Sequence, residues 1–153
     1  MVQLPAINTP QFDVVRSRLP RRAQPVPPIY QPEVAARAIA WAAERAPREH
    51  YVGAPVWKTI WGNKLAPWFA DRYLARNGYD AQQTGDEIDP DRPDNLFAPV
   101  RGDHGAHGEF DAEARARSVV SWVGRHRRAM AVLAGGAATA GAALATPAVR
   151  ERL

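Results

Sequence analysis

Cysteine is absent from the chain. That excludes a disulfide framework, a thiol nucleophile and a cysteine-ligated metal. Lysine is nearly absent too, with Lys58 and Lys64 the only two. The basic blocks are therefore arginine, a composition read here as coding bias rather than as a nucleic-acid footprint, so no nucleic-acid partner is expected. The opening residues lack the basic-then-apolar pattern of a secretory signal, which makes cytoplasmic residence the expectation. What is plentiful is punctuation: fourteen prolines and eleven glycines in 153 residues predict long irregular connections around a modest single core.

Charge is segregated along the chain. Asp80 to Glu113 holds ten acids against Arg92 and Arg101, a balance of −8. Arg115 to Arg152 holds seven arginines against Glu151, a balance of +6. The most regular stretch is Tyr30 to Arg45, YQPEVAARAIAWAAER. Pro32 suits a first helical turn, Glu33 complements the helix dipole, and Val34, Ala35, Ala38, Ile39, Trp41 and Ala42 make a broad apolar face. Strand-like segments at Met1–Leu4 and His50–Gly53 flank it, so strand, loop, helix and strand form one α/β unit.

The first strand exits through Pro5-Ala6-Ile7-Asn8-Thr9-Pro10. This reads either as a capped turn or as a ligand-facing exit of the kind used by open parallel sheets. Gln11 to Leu19 predicts a short helix with Phe12, Val15 and Leu19 on one side, and Pro20 to Pro28 a stiff extended connector.

Together these segments resemble the C-terminal third of a short-chain dehydrogenase/reductase: a strand exit, a mobile basic segment, a helix opening Gln-Pro-Glu-Val-Ala and a Tyr-Val-Gly strand. The resemblance covers residues 1–55. It implies a C-terminal fragment of a Rossmann-like doubly wound α/β sheet, with one or two short strands. It also implies NAD or NADP as cofactor and a small carbonyl or alcohol as substrate. On the same basis Ile7, Asn8 and Thr9 would meet the cofactor, Ile7 and Thr9 at its carboxamide, and Gln11 to Tyr30 would form the substrate lid. Leu4-Pro5 stands where the family carries Pro-Gly. The family's Gly-rich Thr-Gly-x-x-x-Gly-x-Gly turn is missing. So is its Tyr-x-x-x-Lys pair: Val34, Pro55, Asn77 and Gln83 follow Tyr30, Tyr51, Tyr73 and Tyr79 at that spacing. No catalytic residue is therefore assigned. The chain is expected to start at an internal methionine of a longer enzyme, inactive alone, with a missing N-terminal half or a second copy covering the apolar edge at Met1–Leu4.

The remainder divides into a Trp-rich helical extension (56–79), an acidic irregular segment (80–111) and a helical, Ala-rich tail (112–153). In the extension, Val56–Asn63 and Pro67 to about Asn77 predict helices, with Asn77-Gly78 as a stop. Asp103, His104, His107 and Glu109 are metal-capable, yet a Gly-rich loop lacks the rigid face of a zinc-hydrolase helix, so no metal site is assigned. Asp111 is expected to cap a helix from Ala112 to about Arg128. Ala129 to Val149 carries no charge and follows Arg125, Arg127 and Arg128, so it reads either as a weakly membrane-associated tail or as a flexible Ala-rich helix. The alternative to the oxidoreductase is thus a non-enzymatic interaction or membrane-tethered protein.

Overall fold

A computed structural model describes residues 1–145. In chain order the elements are β1 (Val2–Gln3), α1 (Gln11–Val14), β2 (Arg21–Ala23), α2 (Pro32–Arg45), β3 (His50–Tyr51), α3 (Ala54–Leu65), α4 (Pro67–Ala81), β4 (Gln83–Glu87), α5 (Val119–Arg125) and α6 (Arg127–Ala145). The fold is mixed α/β with short strands.

The expected α/β unit forms. β1 and β3 pair in parallel, Val2 opposite His50 and Gln3 opposite Tyr51, with α2 as the crossover that parallel pairing requires. The ladder extends at both ends through His50 N to Met1 O (2.9 Å) and Val52 N to Gln3 O (3.0 Å). The apolar edge at the N-terminus is therefore partnered within the chain on one side. A second parallel ribbon lies beyond it. Tyr30 bridges Ile7 on one side and Arg115 on the other, through Asn8 N to Tyr30 O, Tyr30 N to Ala6 O, Arg115 N to Ile29 O and Gln31 N to Arg115 O, all 2.9–3.0 Å. The core sits between these ribbons and α2: Tyr30, Val34, Ala38 and Val52, with Val2 and Ile7 against them.

α2 has Pro32 in its first turn and ends at Ala46, which adopts a left-handed φ of 44° and donates its N–H to Ala42 O. A Cβ is unfavourable there. Ala46→Gly should therefore raise unfolding free energy by about 0.5–1 kcal/mol in urea titrations. The apolar face of α2 is only half used by the core. Val34, Ala35 and Ala38 are buried, whereas Ile39 is 49% exposed.

Elsewhere the local expectations need correction. α1 stops at Val14 rather than Leu19, because the acidic segment takes its C-terminal carbonyls. Arg92 Nη1 donates to Asp13 O (2.7 Å), Arg92 Nη2 to Val15 O, and Asn95 N to Val14 O (2.9 Å). Part of that supposedly irregular segment is strand. β4 pairs antiparallel with β2, and Gln24 Nε2 donates to Gln83 O (2.8 Å). α4 runs through Asn77-Gly78 to Ala81, since Asn77 Nδ2 turns back to Tyr73 O and Gln82 Nε2 to Gly78 O, each at 2.8 Å. The tail helix starts at Val119, not Ala112. Ser118 caps it by accepting from Ser121 N (3.1 Å), and Asp111 is engaged elsewhere. Among the described residues no helix is long and apolar enough to cross a membrane. Residues 146–149 of the uncharged span lie outside the described residues.

α3 and α4 contain no buried residue and expose Trp57, Trp61, Leu65, Trp68, Phe69 and Tyr73. Trp57→Ser or Trp68→Ser should accordingly shift unfolding free energy by no more than about 0.5 kcal/mol in urea titrations.

Candidate functional site

Beyond β1 the chain continues through Pro5 to the bridge at Ile7 and runs past α2. An open groove of about 730 Å³ lies there, at the carboxyl end of the strand. Leu4, Ile7 and Thr9 from the strand exit, Phe12 and Val26 from the segment before α2, and Ile39 from α2 are among its walls. The exposed Ile39 thus faces a cleft, not the core. Of the three residues the resemblance singled out, Ile7 and Thr9 line this groove.

Asn8 does not line it. It is fully buried and knits the exit to a distant loop. Its Nδ2 donates to Asp111 Oδ1 (2.8 Å) and to Gln31 Oε1 (3.3 Å), and its Oδ1 accepts from Phe110 N (3.1 Å). The loop comes close because Gly108 has no side chain. A Cβ there would stand 2.5 Å from Thr9 O and 2.8 Å from Asn8 Oδ1. Phe110 packs edge-on against Phe12 with centroids 6.2 Å apart, and Arg22 ion-pairs with Glu109.

Around this clamp is a charged relay. Gln31 Nε2 donates to Asp111 Oδ1 (3.0 Å). His107 lies between two carboxylates, Nδ1 at 3.0 Å from Asp111 Oδ1 and Nε2 at 2.7 Å from Glu33 Oε1. Hydrogen bonds to Asp111 and then Glu33 hold the His107 pKa above its ordinary value. Asp111 is lowered by His107 and Gln31. Glu33 is lowered first by its own backbone hydrogen bond at the start of α2, then by His107.

A second polar set docks α5 on β3. His50 is buried, its Nε2 3.1 Å from Ser121 Oγ, and Ser118 Oγ donates to Val52 O. Burial, and secondarily Arg125, depresses the His50 pKa.

The two histidines give opposite pH dependences. The raised His107 contributes stability that is complete below about pH 6.5 and is lost as pH rises through its folded value. The depressed His50 contributes stability that is complete above about pH 6.5 and is lost as pH falls through its folded value. His107→Gln should therefore leave unfolding free energy rising with pH through that region. Urea titrations at half-unit pH steps read this directly, and an unchanged profile would rule out the His107 contacts.

The metal-capable loop residues turn to separate partners. Asp103 accepts from Gly105 N (2.9 Å), His104 bonds Val100 O (3.2 Å), Glu109 meets Arg22, and His107 lies between its carboxylates. Among the described residues no group of three or more His, Asp or Glu is placed to hold a metal ion. Asn8 as a buried clamp, with Gln31, Ser118 and Ser121, went unseen in the sequence as functional or structural anchors. The closely spaced glycines around His107 were the one signal of a tight approach. No family model, curated protein or solved structure matches the chain.

Proposed function

We propose that this chain forms the nicotinamide- and substrate-facing part of an NAD(P)-dependent short-chain oxidoreductase acting on a carbonyl or alcohol. The observation that carries the reading is the groove at the carboxyl end of β1. Ile7 and Thr9 line it side by side, and the segment before α2 walls it. Ligands of open parallel sheets bind at such strand ends.

The groove suits one end of the cofactor. Apolar walls from Leu4, Ile7, Phe12, Val26 and Ile39 can receive a flat ring, and Thr9 adds a polar edge. A pyrophosphate cradle is not among the sequence motifs, since the Gly-rich turn is missing. A second polypeptide bearing that turn and the Tyr-x-x-x-Lys pair completes the site in this reading. The cofactor, when bound, supplies hydride transfer. This chain's residues orient the ring, exclude water from one side and fix the exit through the Asn8 clamp.

The chain alone should show no NAD(P)H oxidation with carbonyl substrates. Nicotinamide mononucleotide at millimolar concentration should nonetheless shift the amide resonances of Ile7, Thr9 and Gln11 in a heteronuclear NMR titration. Unmoved resonances at saturating mononucleotide, NADH and NADPH would overturn the assignment. The outward-facing aromatics of α3 and α4 favour a second reading, a non-enzymatic interaction protein. That reading requires an unresponsive groove together with self-association or partner capture abolished by Trp61→Ser and Trp68→Ser.

A further inference from the structure

Two adjoining cavities share Arg125 as a wall, and neither has a carboxylate in its lining. One, of about 470 Å³, is bounded by Arg37, Arg117 and Arg125, with Val34 and Trp122 as apolar walls. The other, of about 530 Å³, is bounded by Arg45, Arg125, Arg127 and Arg128, with Trp41. Arg37, Trp41 and Arg45 follow at four-residue intervals on α2, so they share one stripe. Eight residues of helix place the outer arginines about 12 Å apart along the axis.

The arginines of other cavities are balanced. Arg22 shares its cavity with Asp86, Glu109 and Glu113, while Arg16, Arg18 and Arg92 share theirs with Asp89 and Asp94. Among the described residues, the six arginines on α2, just before α5, on α5 and at the start of α6 share no cavity with a carboxylate, and only Arg37 feels one nearby, Glu33 a turn earlier on α2. Among the described residues, no ion pair involves Arg37, Arg45, Arg117, Arg125, Arg127 or Arg128. Those held in place are held by neutral carbonyls: Arg37 Nη2 by Ala116 O (3.0 Å) and Arg125 Nε by Ser121 O (3.4 Å). Such bonds fix a guanidinium without neutralising it. The C-terminal ends of α2 and α5 offer about half a negative charge each, far short of six positive ones.

We infer that this groove is a binding site for a phosphoryl-bearing anion. Guanidinium forks match phosphate oxygens in pairs, and Arg125 is placed to serve both cavities. The phosphate is either that of a free phosphorylated molecule or that of a lipid headgroup, and the chemistry of recognition is common to both. The site is separate from the strand-exit groove and does not depend on the oxidoreductase reading.

The test uses the full chain and two probes: inorganic pyrophosphate, followed by calorimetry, and phosphatidylglycerol vesicles, followed by co-sedimentation against phosphatidylcholine vesicles. Binding of either probe is expected, weakened at least about tenfold by Arg125→Gln and also by Arg117→Gln, and unchanged by Arg18→Gln. Pyrophosphate binding assigns a free phosphorylated ligand. Vesicle binding with the same pattern and no pyrophosphate binding assigns a headgroup. Arg117 is exposed, so Arg117→Gln stays informative if Arg125→Gln unfolds the chain. Neither probe binding, or all three variants binding alike, would overturn the site, as would binding of single-stranded RNA alone.

Discussion

Gly108→Ala is expected to lower the unfolding free energy by about 2–3 kcal/mol. The added Cβ would stand 2.5 Å from Thr9 O and 2.8 Å from Asn8 Oδ1. The first of these is backbone of the strand exit, and the second belongs to a side chain fixed by three hydrogen bonds. Neither can swing aside, so the loop itself must lift. Lifting it lengthens the bonds from Gly108 N to Asn8 O (3.3 Å) and from Phe110 N to Asn8 Oδ1 (3.1 Å). It also draws Phe110 away from Phe12. Gly62→Ala is the contrasting control. Nothing lies within 4 Å of that Cβ, and the residue is inside α3, so helix propensity should add about 0.5–1 kcal/mol. Urea titrations of both variants separate the steric effect from the conformational one. The clamp is refuted if Gly108→Ala melts within about 0.5 kcal/mol of the parent. A lifted loop also takes His107 from Glu33, so Gly108→Ala should lose the pH dependence attributed to that pair.

The parts of this fold that were legible in the sequence are those written in short-range pattern. Pro32, Glu33 and the apolar spacing of Val34, Ala35 and Ala38 define α2, and the strand-like segments flanking it, Met1–Leu4 and His50–Gly53, hold the strands it joins. The strand exit was open in the sequence to two readings, a capped turn or a ligand-facing exit, and Ile7 and Thr9 do line a groove there. Illegible were the contacts between distant polar residues. Asn8 and Asp111 are 103 residues apart, and His50 and Ser121 are 71 apart. No periodicity announces such pairs, because each is a single hydrogen bond whose value comes from burial. The same long-range bonding explains the local errors. Asp111 has the right chemistry for a helix cap, but its carboxylate accepts from Asn8 and Gln31, and Ser118 takes the capping role seven residues later. Arg92 and Asn95 end α1 early by supplying the donors that the next helical turn would have provided.

The sharpest probe of the clamp distinguishes two replacements of Asn8. Asn8→Ala removes the acceptor for Phe110 N and one donor to Asp111 Oδ1, leaving a buried N–H without a partner. The cost should be about 2–3 kcal/mol, nearly independent of pH at this site. Asn8→Asp keeps the acceptor for Phe110 N but replaces the Nδ2 donor with oxygen, 2.8 Å from the Asp111 carboxylate. Two carboxylates at that distance cannot both stay ionised. His107 and Gln31 already hold Asp111 as the anion, so the proton must reside on the buried aspartate introduced at position 8. Its folded pKa is therefore raised above the unfolded value of about 3.9. Folding then takes up a proton at neutral pH. The Asn8→Asp variant should lose stability progressively as pH rises from about 4, reaching a deficit of about 3–5 kcal/mol near neutrality. Below about pH 4 the shared proton restores the donor, and the variant should approach the parent and surpass Asn8→Ala. The order of the two variants thus inverts between acid and neutral pH. Parallel urea titrations at both ends of that range read the inversion directly. A variant pair that keeps one order throughout would mean that Asn8 and Asp111 do not meet.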